Sequence, residues 1–185
     1  MQNSLRIDQM PISQFRNSVI QALLVDDNEF DRKYIKRLST RSDLNIQIAE
    51  ARSIEEMSQN LRSRRFDLVL LDYNLDDGDG IEALNLLRTD GFYNRTGVIM
   101  VTGDTKTEVA VNAFRNGCHD IVAKDGLSSD KMQAAILRSL AGAKATVFEN
   151  GQDRLGISNV HDTAGLKNYL AGFEHDDDDP FLFRS

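Results

Sequence analysis

The chain has 185 residues, of which 41% are hydrophobic, and it carries a net charge of −7. This length fits one domain with extensions, and the apolar share is sufficient for a core. The negative charge argues against direct binding to DNA or RNA, and no stretch predicts a membrane span or a secretory leader. A single cysteine excludes an internal disulfide, which is typical of a reducing compartment, so we expect a cytoplasmic protein.

The first 20 residues are predicted to be a polar extension. Ile12, Phe15 and Val19 recur there at helical spacing. A short amphipathic helix, which could dock on the main body or on a second copy, and a disordered leader are both open for residues 1–20.

Five short stretches are predicted to be strands, and a segment with helical periodicity follows each of them. The strands are Ala22–Val25, Asn45–Ala49, Asp67–Leu71, Val98–Val101 and Cys118–Ala123. The third and fourth contain uninterrupted apolar runs, which are typical of strands buried on both faces of a parallel sheet. The second alternates between apolar and polar residues, which favours a position nearer an edge.

The helices are predicted from their start signals and apolar stripes. Asn28 is expected to cap the first helix, Ser53 with Glu56 forms a capping-box pattern before the second, and Thr105 or Thr107 begins the fourth. The stripes are, in chain order, Phe30, Tyr34, Ile35 and Leu38; Ile54, Met57 and Leu61; Ile81, Leu84 and Leu87; Val109, Ala110, Ala113 and Phe114; and Met132, Ala135, Ile136, Ser139, Leu140 and Ala143.

Repeated strand–helix units predict an α/β fold. Short helical connections between parallel strands are right-handed crossovers, so we expect a doubly wound five-stranded parallel sheet of flavodoxin-like type, with (βα)5 topology and strand order 2-1-3-4-5. This domain is placed at residues 21–143. Residues 144–185 form an acidic tail, which is too short for an ordinary helix-turn-helix or enzymatic output domain.

Polar residues of particular kinds follow four of the predicted strands. Asp26 and Asp27 follow the first, Asp72 the third, Thr102 the fourth and Lys124 the fifth. The carboxyl edge of such a sheet is where ligands bind. Carboxylates are suitable ligands for Mg²⁺, a lysine and a hydroxyl suit a phosphoryl group, and a carboxylate can act as a nucleophile. These residues therefore predict a Mg²⁺-dependent phosphoacceptor with Asp72 as the nucleophile.

In these residues the chain resembles the receiver domain of two-component response regulators, over about Gln21–Ala143. The matching pieces are Val25–Asn28, Leu71–Leu75 with Gly80, Val101–Gly103, and Lys124. The resemblance implies that Asp72 accepts a phosphoryl group from a histidine kinase or a phosphotransfer protein. It also implies a protein that changes its binding face toward a downstream protein or a second copy, rather than an enzyme with separate substrates.

The resemblance further implies a set of metal ligands. Asp27 and Asp72 would bind Mg²⁺ directly and Asp26 through water. The backbone carbonyl of Asn74 would be an additional ligand.

Roles in phosphoryl chemistry are implied in the same way. Lys124 would pair with the phosphoryl oxygens, Thr102 would hydrogen-bond one of them, and Gly103 would leave space for the group. Asn74 and Asp104 occupy positions that tune hydrolysis in the family. Because polar side chains there could orient an attacking water, we expect a short-lived phosphoryl group.

Two positions depart from the family pattern. Ile121 occupies the switch position, three residues before Lys124, where the family usually has an aromatic residue. Asp125 replaces the proline whose peptide bond is usually cis, and a cis bond before a non-proline residue costs about 2.5–4 kcal/mol. Both departures concern the route of activation rather than phosphorylation itself.

Other function classes fit the sequence less well. A haloacid-dehalogenase-like phosphatase needs a second aspartate where this chain has Asn74, and a flavodoxin needs a Ser/Thr/Gly-rich phosphate loop where it has Asp26–Glu29. A transcription regulator needs a basic surface and a DNA-reading module. The remaining alternative is a degenerate receiver, which would bind partners without being phosphorylated.

Overall fold

The computed structural model describes residues 18–89, 95–103 and 107–152, with side chains described up to residue 143. The strands in this part are β1 (Ile20–Val25), β2 (Ile46–Ala51), β3 (Leu68–Asp72), β4 (Asn74–Leu75), β5 (Gly78–Asp79), β6 (Gly97–Thr102) and β7 (Asp120–Ala123). The helices are α1 (Glu29–Thr40), α2 (Ile54–Ser63), α3 (Gly80–Thr89), α4 (Thr107–Arg115) and α5 (Ser129–Gln152).

Five of the strands form a parallel sheet in the order β2-β1-β3-β6-β7. Strands β4 and β5 form a separate small antiparallel pair. Without them, β6 and β7 are the fourth and fifth strands of the sheet, so the order is the predicted 2-1-3-4-5. Central β3 is buried along its whole length, whereas edge strand β2 is mostly half-buried or exposed. The contrast between a continuous apolar run and an alternating one therefore indicated both positions correctly.

The core consists of two apolar layers, one on each face of the sheet. Side chains of β3 alternate between them, with Val69 and Leu71 on one face and Leu68 and Leu70 on the other. The first layer includes residues of α2, α3 and α4, and the second includes residues of α1 and α5. Helices cover both faces, as the predicted doubly wound architecture requires.

The helix starts agree with the sequence signals. The Asn28 side chain accepts hydrogen bonds from the N–H groups of Phe30 and Asp31, and Ser53 accepts one from Glu56 N–H. Helix α4 begins at Thr107. In the predicted stripe of α1, Ile35 and Leu38 are buried, whereas Phe30 at its start is 82% exposed. Phe30 lies in the first turn of α1.

The last strand begins at Asp120, two residues later than expected. The backbone N–H of Cys118 donates to Ala113 O, a bond that belongs to the end of α4, while its side chain is buried as predicted. The peptide bond between Lys124 and Asp125 is trans, since the described chain contains no cis bond.

Some expectations concern parts of the chain outside the described residues. They are the N-terminal helix or leader up to residue 17, the role of Asp104, and the tail beyond Gln152. These stay predictions. Among the described helices, none combines the length and the apolar character that crossing a membrane requires.

Candidate functional site

Polar residues from four parallel strands meet at the carboxyl edge of the sheet. Asp72 is the last residue of β3 and Thr102 the last of β6, while Asp26 and Lys124 directly follow β1 and β7. Asp26, Asp72 and Thr102 are buried, and Asp27 is partly exposed. Carboxylate oxygens of Asp26, Asp27 and Asp72 lie within 4.8 Å of one another. The fold thus brings together the residues that the strand ends suggested.

The ammonium group of Lys124 lies in the middle of this site. Its Nζ is 2.8 Å from Oδ2 of Asp72, 2.8 Å from Oδ2 of Asp26 and 2.8 Å from Oδ2 of Asp31. Burial disfavours the charged ammonium, but its interactions with the three carboxylates outweigh this effect and raise the pKa of Lys124 above its ordinary value. Lys124 is therefore a permanent cation beside Asp72. It donates hydrogen bonds to Asp72 and Asp31, and its contact with Asp26 is an ion pair.

Two of the carboxylates are unusually costly to ionise. Burial raises the pKa of Asp26 and of Asp72, while the neighbouring Lys124 ammonium opposes the rise in each. One oxygen of Asp72, Oδ1, is buried and accepts no hydrogen bond from any described residue. A buried carboxylate oxygen that accepts no hydrogen bond favours an additional positive partner.

The donor set fits a hard divalent cation. Three carboxylates offer oxygen ligands from one small region, and Asp27 is open to solvent on one side, so that a cation could keep bound water. Asn74 lies two residues beyond Asp72, in β4, with its side chain exposed. These residues could hold Mg²⁺, as the sequence suggested.

Arg32 binds the backbone of two of the acidic residues. It was not predicted from the sequence as part of the site. This α1 side chain is buried, and its Nη1 donates to the carbonyl oxygens of Asp26 at 2.8 Å and of Asp27 at 2.9 Å. Its Nε donates to Glu50 of β2 at 3.3 Å. Its spacing could have indicated its burial, because Arg32 lies three residues before buried Ile35 and therefore on the inward side of α1.

Asp31 is a second residue that the sequence analysis missed. It lies in the first turn of α1 and reaches Lys124 across 93 residues of chain. A charged first turn is ordinary for a helix, because carboxylates are favourable at its N-terminus. Nothing in that local pattern indicates a partner so distant in sequence.

Hydrogen bonds at Asp77 and Gly80 hold the loop between Asp72 and α3. Asp77 accepts hydrogen bonds from Ile54 N–H at 3.0 Å and Glu55 N–H at 3.2 Å, so it caps the start of α2 from outside. Gly80 N–H donates to Tyr73 O at 2.7 Å. A Cβ at Gly80 would lie 2.8 Å from Asp72 O, so the chain passes too close for any side chain. The position of Asp72 is therefore constrained both by its pairing in β3 and by the close approach of the backbone at Gly80.

The remaining expected residues lie around the same edge. Thr102 is buried and its carbonyl accepts a hydrogen bond from Lys124 N–H at 2.8 Å. Gly103 is exposed, and an added Cβ would meet no described atom within 4 Å. Ile121, the atypical switch position, is buried in the apolar layer next to α4 and pairs with Met100 in the sheet.

Sequence comparisons point in the same direction. The sequence model of the response regulator receiver domain matches residues 22–137. The swarming motility regulation protein RssB of Serratia marcescens is 33% identical over 150 residues, which are 80% of this chain and 66% of that protein. The response regulator protein VraR of Staphylococcus saprophyticus is 30% identical over 116 residues, or 62% of this chain and 54% of that protein. The chain thus spans between half and two thirds of these two relatives.

A solved structure shows the same fold. The chemotaxis response regulator CheY4 of Vibrio cholerae superposes with a TM-score of 0.58 at 20% identity, over 66% of this chain and 100% of that one. At this identity the likeness concerns the architecture alone. The five-stranded sheet and its helices are therefore shared with a protein of that kind.

Proposed function

Because the chain belongs to the response regulator receiver domain family of two-component signalling, we propose that its Asp72 accepts a phosphoryl group from a histidine kinase or a phosphotransfer protein. The observation that carries the proposal is the pairing of Asp72 Oδ2 with Lys124 Nζ at 2.8 Å, beside two further carboxylates. A nucleophilic oxygen, a cation for the incoming phosphoryl oxygens and a divalent-cation site are thus adjacent.

The proposed transfer is a substitution at phosphorus. A carboxylate oxygen of Asp72 forms the new P–O bond while the P–N bond of a phosphohistidine breaks, and the electron pair of that bond goes to the imidazole. Lys124 and the Thr102 hydroxyl donate hydrogen bonds to the phosphoryl oxygens. Gly103, where an added Cβ would meet no described atom within 4 Å, would leave room for those oxygens.

The same proposal assigns the cation. Asp27, Asp72 and the Asn74 carbonyl would hold Mg²⁺ directly, and Asp26 through water. The ion would neutralise negative charge on the transferred group. What this chain supplies is the fixed arrangement of the carboxylates, for which Arg32 holds the backbone of Asp26 and Asp27.

The output would be a change in protein binding. Phosphorylation shifts an existing equilibrium of the face formed by α4, β7 and α5, which then binds a downstream protein or a second copy. At the switch position Ile121 offers no aromatic ring, so any coupling there passes through apolar packing. Residues 21–143 would act as the receiver in this scheme, with the segments on either side as extensions.

The competing proposal is a degenerate receiver that binds partners without phosphorylation. It has less support, because acidic residues, hydroxyl and lysine are all present at the sheet edge. The two proposals differ in one observable, which is whether a phosphoryl group becomes attached to Asp72.

Intact mass spectrometry after incubation with phosphoramidate and Mg²⁺ tests this directly. The wild type should gain one phosphoryl group, and Asp72→Asn should gain none. Asp67→Asn is the matched control, because Asp67 is the carboxylate at the other end of β3, where it accepts a bond from Gln21 N–H. Absence of the adduct in a rapidly quenched wild-type sample would establish the degenerate receiver instead.

The lifetime of the adduct tests the expectation for Asn74 and Asp104. Polar side chains at these positions should orient water and keep the lifetime short. A half-life of many hours would contradict that role while leaving phosphorylation itself intact.

A further inference from the structure

Asp31 is a fourth carboxylate near the site, but it lies on a helix and apart from the three that could hold a cation. Its Oδ2 is 2.8 Å from Lys124 Nζ, and its side chain is 35% exposed. Among the described residues, the acidic group with metal-ligand geometry contains Asp26, Asp27 and Asp72 only. The contact of Asp31 with the site is therefore made through Lys124.

Lys124 and a divalent cation would draw on the same two carboxylates. The ammonium faces Asp26 and Asp72 at 2.8 Å each, and both carboxylates belong to the candidate cation group. A cation bound to these carboxylates neutralises part of their negative charge and so leaves Lys124 with less countercharge. Since the lysine side chain is only 16% exposed, an unpaired ammonium there is unfavourable.

We propose that Asp31 is a positioning residue that keeps the Lys124 ammonium paired when a divalent cation takes Asp26 and Asp72, and that it thereby raises the affinity of the site for the cation. Identification of the cation as Mg²⁺ rests on the proposed function. The role of Asp31 itself concerns binding and does not require a phosphoryl group.

The test is calorimetric titration of the full chain with Mg²⁺. Asp31→Asn should weaken binding roughly five-fold, the size of a typical coupling between contacting charges. Glu29→Gln is the matched control, because it removes one charge from the same helical turn. Glu29 pairs at the surface with Lys33 at 2.7 Å, so its loss should change the affinity less than roughly two-fold. Asp31→Glu should restore most of the affinity, since it keeps the carboxylate.

A double-mutant cycle with Lys124→Gln distinguishes pairing from a general effect of charge. If Asp31 acts through Lys124, then Asp31→Asn in the Lys124→Gln background should change Mg²⁺ affinity no more than Glu29→Gln does. An equal loss of affinity in both backgrounds would overturn the proposal, because Asp31 would then act on the cation directly. Equal affinities of Asp31→Asn, Glu29→Gln and wild type would overturn it as well.

The phosphorylation assay separates this inference from the proposed function. Phosphorylation of Asp72 combined with an unchanged Mg²⁺ affinity in Asp31→Asn would refute only the role of Asp31. Weaker Mg²⁺ binding in Asp31→Asn, without any phosphorylation of the wild type, would refute only the phosphoacceptor. Circular dichroism of each variant confirms that it is folded before titration.

Discussion

Arg32 donates a hydrogen bond from Nη1 to the backbone carbonyl of Asp26 at 2.8 Å, from inside the core. The same nitrogen reaches the carbonyl of Asp27 at 2.9 Å. Helix α1 therefore holds the end of β1, and with it two of the three carboxylates that could bind a cation. Stability and site geometry depend on the same side chain.

Replacement of Arg32 should consequently reduce the stability of the fold. Arg32→Met keeps most of the side-chain length but leaves two carbonyls without their donor, so the free energy of unfolding should fall by about 2–3 kcal/mol. Urea denaturation measures this loss. Lys33→Met, one position along α1, removes only a surface ion pair with Glu29 and should cost under about 0.5 kcal/mol. Similar losses in both variants would contradict the argument.

Gly80 should not tolerate a side chain. Gly80→Ala places a Cβ 2.8 Å from Asp72 O and 2.9 Å from Tyr73 Cα, both backbone atoms. The backbone must shift, and we expect a loss of about 1–3 kcal/mol in the free energy of unfolding. Gly103→Ala is the control, because a Cβ there meets no described atom within 4 Å and stability should stay within about 0.5 kcal/mol. If the two alanine variants unfold at the same urea concentration, the close approach at Gly80 is unimportant.

Acid should destabilise the protein through His119. Burial, assisted by the neighbouring Arg88 guanidinium, lowers the pKa of His119 from 6.5 to about 3, and the ring accepts a hydrogen bond at Nδ1 from Val98 N–H. Because the folded-state pKa is the lower one, the unfolded chain takes up the proton first. The contribution of His119 is complete above pH 6.5 and is lost as the pH falls from 6.5 toward 3.

Urea denaturation at pH 7.5 and pH 5 measures this dependence. The free energy of unfolding of the wild type should fall by about 2 kcal/mol more than that of His119→Asn, whose side chain does not titrate and can still accept a hydrogen bond. An identical pH dependence of the two proteins would show that His119 is not the titrating group.

Cys118 should be chemically inert in the folded protein. Its side chain is buried, and burial raises the pKa of the thiol to about 12, so almost no reactive thiolate is present at neutral pH. Iodoacetamide at pH 8 should therefore modify Cys118 only after unfolding in urea, when the thiol titrates normally. Rapid labelling without urea would contradict the buried position. Since the chain has one cysteine, intact mass gives an unambiguous result.

The sheet was predictable because its signals are local. Continuous apolar runs such as Leu68–Leu71 identify central strands, and short helical connections restrict the order of parallel strands. Strands β4 and β5 were not predicted, since each has two residues and contributes almost no pattern. Phe30 was grouped with the apolar stripe of α1 although it is exposed, because periodicity shows which residues share a helix face but not how deeply each is buried.

The candidate site was predictable only in part, for a related reason. Asp26, Asp72 and Lys124 follow strands, and the ends of parallel strands necessarily meet at one edge. Arg32 and Asp31 reach the site from a helix, so their contacts depend on how α1 is rotated against the sheet. That rotation follows from packing, which no short stretch of sequence encodes.

The contact between Asp31 and Lys124 spans 93 residues, and the bond between Asp72 and Lys124 spans 52. Bringing such distant segments together costs loop-closure entropy, which is recovered only when the intervening strands have paired. We therefore expect the acidic edge to assemble late in folding, after β1, β3, β6 and β7 are in register. A nascent or partly unfolded chain would present Asp72 without its lysine, and so the proposed phosphorylation of Asp72 would require that the whole domain has folded.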